Sequence, residues 1–210
     1  MENILQNVQE AILGMRIVEL ISVITAIIYV ILAAQKNIWC WFFGIISAIL
    51  WTYAAYAYYQ LYIDSALQVY YVVMGFYGWY MWKYGYEKEG VELPMTQLSA
   101  QNHLYIISVG LVLTFLVGYF FNTYTAAAAT YLDAFTTIFS IMTTVLVARK
   151  VIENWLYWIV IDATYIYLYG ARGGYLFAFL NVVYVIIAII GYINWKKEYD
   201  LSNEKLTIDN

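Results

Sequence analysis

The chain has 210 residues, 64% of them hydrophobic and only 11% charged, with a net charge of −4. A water-soluble domain is about 45–50% apolar and about 25% charged, so no soluble fold would hide this much apolar surface, and the chain reads as an integral membrane protein. The sparse charges exclude a nucleic-acid-binding face, the single cysteine (Cys40) excludes an intramolecular disulfide framework, and the single histidine (His103) excludes a multi-histidine metal site.

At the start of the chain, Ile4, Val8, Ile12 and Met15 recur at helical spacing among Asn3, Gln6, Asn7 and Glu10. That pattern predicts a short amphipathic helix lying at the membrane interface over residues 1–16. Glu2 and Glu10 stand where a cleavable signal peptide carries basic residues, so none is expected. A hydrocarbon core about 30 Å thick takes roughly 17–25 apolar residues per helix. Seven stretches meet or approach that length: Ile17–Ala34, Ile38–Tyr58, Ser65–Tyr84, Leu104–Phe121, Leu132–Ala148, Trp155–Gly170 and Gly174–Trp195. The interruptions carry charge or turn residues, such as Gln35-Lys36-Asn37, Arg149-Lys150 and Ala171-Arg172-Gly173. The one proline, Pro94, sits in the longest interruption, so no spanning segment is proline-kinked.

With seven crossings, Lys36, Lys83, Lys88, Arg149, Lys150, Lys196, Lys197 and Lys205 fall on one side, and Arg16 and Arg172 on the other. Positive residues gather on the cytoplasmic side, so the N-terminus is expected outside and the C-terminus inside. The chain also repeats itself. Ile31-Leu32-Ala33-Ala34-Gln35-Lys36 lines up with Val145-Leu146-Val147-Ala148-Arg149-Lys150, and Glu19 with Asp133. Trp39 is matched to Trp155, Leu67-Gln68 to Leu180-Asn181, Tyr71 to Tyr184, and Gly78 with Trp82 to Gly191 with Trp195, at an offset of 113 to 116 residues. The first three segments therefore resemble the last three. A second copy of three helices in the same orientation needs one extra crossing, which the fourth segment supplies. The fold class expected is an all-α membrane protein of seven transmembrane helices, with 3+1+3 parallel repeats of a three-helix bundle. Its divisions are 1–16, 17–84, 85–131 (loop and linker helix), 132–195 and a tail over 196–210. Parallel repeats are a transporter architecture with the substrate near the midplane between halves.

Polar groups inside a membrane segment are expensive and mark pathways unless they lie near the interface. In the sixth segment, Trp155, Trp158, Asp162, Tyr165 and Tyr169 recur at steps of three and four, on one helix face. An interfacial aromatic belt is the alternative. Trp155 fits that belt; Trp158 and Asp162, one and two turns deeper, fit it less well. The third segment shows Asp64, Gln68, Tyr71, Gly75 and Trp79 as a stripe, the seventh Asn181, Tyr184, Ala188 and Gly191. Amides also join membrane helices to one another, so Gln68 and Asn181 read either as ligands or as packing groups. The fifth segment aligns Asp133, Thr137, Ser140 and Thr144, and the second Gly44, Ser47, Trp51, Ala55 and Tyr58. Glu19 and Asp133, near helix starts, are either interfacial or functional. With 24 Tyr and 8 Trp, the chain has more rings than two belts need. Rings, amides and a buried acid suit a flat, hydrogen-bonding, cationic solute, for which a cation over Trp or Tyr gains about 0.5–2 kcal/mol.

The run Asp133-Ala-Phe-Thr-Thr, the run Glu153-Asn154-Trp155-Leu156-Tyr157-Trp158 leading to Asp162, and the runs Leu61-Tyr62-Ile63-Asp64-Ser65-Ala66-Leu67-Gln68, Tyr77-Gly78-Trp79-Tyr80-Met81-Trp82 and Gly191-Tyr192-Ile193-Asn194-Trp195 resemble the nicotinamide riboside transporter (PnuC) family, from Ile17 to Lys197. Trp155-x-x-Trp158 matches that family's WxxW motif. The resemblance implies facilitated diffusion of unphosphorylated nicotinamide riboside across the bacterial inner membrane, trapping by a cytoplasmic substrate kinase, and a homotrimer. It also implies that Trp155 and Trp158 line the site. The faces read above add Asp162, Gln68, Asn181, Tyr184, Trp51, Tyr71 and Tyr165. Relatives of this pattern take thiamine or riboflavin, and those substrates stay open. So does a substrate-binding subunit of a larger energised transporter. No enzyme, cofactor or metal is expected, since the lone His, lone Cys and scattered acids give no nucleophile–base pair. A retinal receptor would need a lysine between Gly174 and Trp195, and there is none. The partners expected are the vitamin and membrane lipid.

Overall fold

The computed structural model describes Gln6, Gln9 and residues 12–58, 62–85, 93–124 and 130–208, with the side chains of all but 62–64, 66, 130 and 205–208. The amphipathic segment expected over 1–16 and parts of the 85–131 division lie outside the described residues. Seven helices account for most of the rest: α1 (Ile17–Ala34), α2 (Trp39–Ala57), α3 (Tyr62–Tyr84), α4 (Ala100–Tyr124), α5 (Thr130–Ala148), α6 (Asn154–Ala171) and α7 (Tyr175–Ile208). The protein is an all-helical membrane protein.

Local chemistry sets the helix ends. The Glu19 carboxylate accepts the backbone N–H of Arg16 (3.1 Å), half of a capping box at the start of α1. Asn37 Oδ1 accepts the N–H of Trp39 (3.0 Å) at the start of α2, and Ser99 Oγ accepts that of Asn102 (3.2 Å) at the start of α4. Gly173, with φ +79°, makes the turn between α6 and α7, a conformation that glycine adopts without a Cβ penalty. One boundary differs from expectation. The seventh segment, expected to end at Trp195, continues as helix α7 through the first part of the 196–210 tail to Ile208. No Gly or Pro interrupts 196–208, and Lys196 Nζ donates to Asp200 (2.7 Å) one turn on.

Among the described residues, five helices are long and apolar enough to cross a membrane: α1, α2, α4, the Tyr131–Ala148 part of α5, and α7 up to Glu204. The other two, α3 and α6, carry much of the Tyr, Trp, amide and acid content. Large apolar side chains face outward along the helices, among them Val73, Phe76, Leu104, Phe115 and Ile186. Such a surface would be an association liability in water and is at rest in hydrocarbon.

Helix contacts run α1–α2–α3–α5–α6–α7 and back to α1, a closed ring of six, while α4 packs on α5 from outside through its buried Gly110, Thr114 and Gly118. Tyr70 Oη donates to the Ile141 carbonyl (2.8 Å) and joins α3 to α5. The core concentrates at one end of the ring, around Trp41, Trp82, Trp155 and Trp195. Here the structure corrects the repeat alignment. Trp155 packs edge-on against Trp195 (5.5 Å, 89°), and the residue that packs in the same way against Trp82 is Trp41 (5.5 Å, 85°). Trp39 instead is half-exposed and meets Trp79. Trp41, not Trp39, is the counterpart of Trp155, and no length change is needed. Trp39 and Trp41 stand two positions apart in the sequence, so only packing distinguishes the buried ring from the half-exposed one.

Candidate substrate cavity

A cavity of about 600 Å³ lies inside the helix ring, lined by α1, α2, α3, α5, α6 and α7 and by no described residue of α4. Ligand pockets span about 300–1,000 Å³, so its size suits one small molecule. All nine residues singled out from the sequence line it. From α6 come Trp155, Trp158, Asp162 and Tyr165; from α3, Gln68 and Tyr71; from α7, Asn181 and Tyr184; from α2, Trp51. Steps of three and four along α6 bring its four to one face, with Asp162 roughly 10 Å along the axis from Trp155.

Rings bound the cavity at both ends. At the end that bears Lys36, Lys150 and Lys196, Trp41 and Trp155 are buried, and each indole lies on a helix backbone that only glycine lets so close, Gly78 and Gly191 respectively. At the other end Trp51 meets Phe177 edge-on (6.1 Å, 72°), Tyr169 packs on Phe177 (5.3 Å), and Tyr165 stacks on Tyr169 (5.7 Å, 21°).

Between them sits Asp162, 6% exposed and the only charged residue among the described residues of the lining. Among the described residues its carboxylate accepts no hydrogen bond and meets no Lys or Arg. An unpaired carboxylate away from water is costly unless a positive partner arrives. Asn181 donates its amide N–H to the Phe177 carbonyl (2.8 Å), which leaves its Oδ1 as an acceptor. The indole N–H groups of Trp41 and Trp155 are buried without a partner among the described residues. The wall therefore offers rings for stacking, one carboxylate and amides. Groups of these kinds can hold a flat, hydrogen-bonding cation, and the described lining residues include no nucleophile–base pair.

From α1 the sequence suggested only Glu19, yet Ser22, Ala26, Tyr29 and Ala33 are among the residues of that helix that line the cavity. Their spacing of four, three and four residues, small or polar against an aliphatic background, is the signal that marks this face. Ser22 and Ser47 tie α1 to α2 by exchanging hydroxyl-to-carbonyl hydrogen bonds (3.0 and 2.9 Å). Ser140 and Thr144 line the cavity, but Thr137 does not. Asp133 pairs with Arg172 (3.2 Å) in a half-exposed ion pair, and Glu19 serves the start of its own helix, so neither acid reaches the cavity. Trp79 meets Trp39 instead, and the Asp64 side chain lies outside the described residues.

Residues 16–197 match the family model described as nicotinamide mononucleotide transporter. The chain belongs to that family. It is 25% identical over 202 residues to the nicotinamide riboside transporter PnuC of Escherichia coli, covering 85% of this chain and 84% of that protein. To the nicotinamide riboside transporter PnuC of Haemophilus influenzae it is 29% identical over 183 residues, covering 85% and 78%. The crystal structure of the vitamin B3 transporter PnuC matches with a TM-score of 0.70 at 26% identity, over 87% of this chain and 82% of that one. As a member of the nicotinamide mononucleotide transporter family, the protein is a multi-pass membrane transporter rather than an enzyme.

Proposed function

We propose that this protein carries nicotinamide riboside across the inner membrane by facilitated diffusion, through the cavity around Asp162. Seven crossings in a 3+1+3 arrangement, with the N-terminus outside and the lysine-bearing end in the cytoplasm, frame this reading. The matched tryptophan pairs of the two halves support the repeat, and the Lys/Arg asymmetry supports the orientation. The tyrosine- and tryptophan-rich α3 and α6 cross as members of the ring, their polar faces turned to the cavity rather than to lipid.

The observation that carries the substrate assignment is Asp162: a buried carboxylate with no protein cation, in a cavity walled by Trp158, Tyr165 and Tyr184. A pyridinium ring supplies the missing positive charge and a face to stack. Trp155, Trp158, Trp51 and Tyr71 would enclose it, while Gln68 and Asn181 would meet its amide and hydroxyl groups. No Lys, Arg or His lines the cavity among the described residues, so nothing there would neutralise a phosphate, and Asp162 would repel one. That favours the nucleoside over its phosphate, although the family description names the mononucleotide. Phosphorylation by a cytoplasmic kinase would then trap the solute once it has crossed.

Thiamine, also a cationic aromatic, is the second reading, because Asp162 would balance its charge equally well. The test is a thermal-shift panel on purified protein, followed by uptake into liposomes without ATP or an ion gradient. Nicotinamide riboside should raise the melting temperature and enter saturably, and its 5′-phosphate should do neither. A shift by thiamine alone moves the assignment to thiamine. No shift by any of them, with no uptake, removes the proposal.

A further inference from the structure

The first helices of the two halves end in the same way. At the end of α1, Lys36 N–H donates to the Ala33 carbonyl (2.9 Å) and Asn37 N–H to that of Leu32 (2.9 Å), with Lys36 at φ 56°. At the end of α5, Lys150 N–H donates to Val147 (3.0 Å) and Val151 N–H to Leu146 (3.0 Å), with Lys150 at φ 51°. Both are Schellman caps. Each capped carbonyl accepts a second hydrogen bond from a tryptophan of the other half: Trp195 Nε1 donates to Ala33 and Trp82 Nε1 to Val147, both at 3.2 Å. The two indoles lie 6.1 Å apart. With Trp41 and Trp155 they form a buried row, Trp41–Trp82–Trp195–Trp155, across the lysine-bearing end of the bundle. Its two outer members, Trp41 and Trp155, also line the cavity, so the row lies against the cavity at this end.

The two sides of the row are not held equally. The α5–α6 turn is pinned by the segment before α4: Thr96 N–H donates to Lys150 O (3.1 Å), Ile152 N–H to Thr96 O (2.9 Å), and Leu98 N–H to the Glu153 carboxylate (3.2 Å). The α1–α2 turn has no such strand-like pairing among the described residues. Among the described residues, the side-chain polar ties between this turn and α7 are the Trp195 hydrogen bond and the ion pair between Lys36 and Glu198, whose glutamate is half exposed. Exposed ion pairs are weak.

We propose that the tryptophan row is the inner gate of the transport path and that it opens on one side: the α1–α2 hairpin swings away, releasing Ala33 from Trp195, while the α5–α6 hairpin stays pinned. This rests on the transporter reading but not on which vitamin is carried. Trp195 and Glu198 are then positioning residues for the closed state.

The sole cysteine, Cys40, is fully buried at the start of α2 and reports movement of that hairpin. Asn154, equally buried at the start of α6, is the matching position for a second reporter, Asn154→Cys in a Cys40→Ala chain. Labelling by a soluble maleimide is followed in lipid nanodiscs, where both faces are accessible. Trp195→Phe keeps the ring and drops the N–H, and should speed Cys40 labelling by about two- to ten-fold, the shift expected for one lost buried hydrogen bond. Glu198→Gln, outside the core and no threat to folding, should act in the same direction more weakly. Trp82→Phe should leave the Asn154→Cys reporter slow. If Trp82→Phe speeds that reporter as much as Trp195→Phe speeds Cys40, the one-sided gate is wrong. If neither Trp195→Phe nor Glu198→Gln changes Cys40 labelling in monodisperse protein, the row is no gate at all. Labelling needs no substrate, so a failure of vitamin uptake would tell against the substrate assignment and leave this result readable.

Discussion

Gly191 of α7 lies flat against the indole of Trp155 on α6, so close that a Cβ on Gly191 would stand 2.7 Å from Trp155 Cε2. Gly78 of α3 does the same for Trp41. Each glycine is thus a seat for a tryptophan of the cavity wall. Gly191→Ala should push Trp155 toward the cavity, since overpacking costs about 1–3 kcal/mol. The expected result is a lower melting temperature together with a weaker nicotinamide riboside shift. An alanine chain with unchanged melting and unchanged ligand shift would mean that the ring is not held by this contact.

Trp158 faces the cavity one turn along α6 from Trp155, and it is only partly buried in protein. Trp158→Ala should abolish saturable uptake while the chain still inserts in the membrane. Trp158→Phe should retain part of it, because a smaller ring keeps a face but a weaker attraction for a cation. Uptake kinetics and membrane yield separate the two effects. Normal transport by the alanine variant would take Trp158 out of the site.

Asp162→Asn keeps the shape of the side chain and removes its charge. A hydrogen bond or contact to a charged partner is worth about 1.5–3 kcal/mol, so affinity for nicotinamide riboside should fall roughly 10- to 100-fold. Neutral riboflavin, if it binds at all, should lose much less. Calorimetric titration of both ligands decides this, and equal losses would end the charge-balance argument.

Asp133, in contrast, meets Arg172 in a pair exposed by nearly half on both sides. Such pairs contribute about 0–1 kcal/mol. Asp133→Asn should leave uptake within about two-fold of the parent chain and shift melting by no more than a few degrees. Loss of transport on this change alone would place Asp133 in the pathway after all.

The contrast between these two acids shows how far the sequence reaches. Steps of three and four in α6 identify the face that carries Trp158 and Asp162, and that face does line the cavity. The same rule groups Asp133 and Thr137 with Ser140 and Thr144 on α5, yet only Ser140 and Thr144 line the cavity; Asp133 lies at the helix end beside Arg172. Periodicity gives the direction of a side chain about its helix axis, not its depth along the bundle. Tyr29 escaped notice for a related reason: one ring in an aliphatic helix looks like packing until Gly44 is seen to make room beside it.

From the sequence alone follow the membrane as solvent, the positions of the helices, the likeness of the two halves, and the helix faces that carry rings, amides and acids. These are local properties, set by composition and by spacing along one segment. The tertiary structure decided which faces meet: the closure of α1 on α7, the exclusion of α4 from the cavity, the choice of Trp41 over Trp39 as the counterpart of Trp155, and the crossed tryptophan-to-carbonyl hydrogen bonds. Those depend on contacts between residues from about forty to more than a hundred and sixty positions apart, and no pattern within a single helix encodes which partner will arrive.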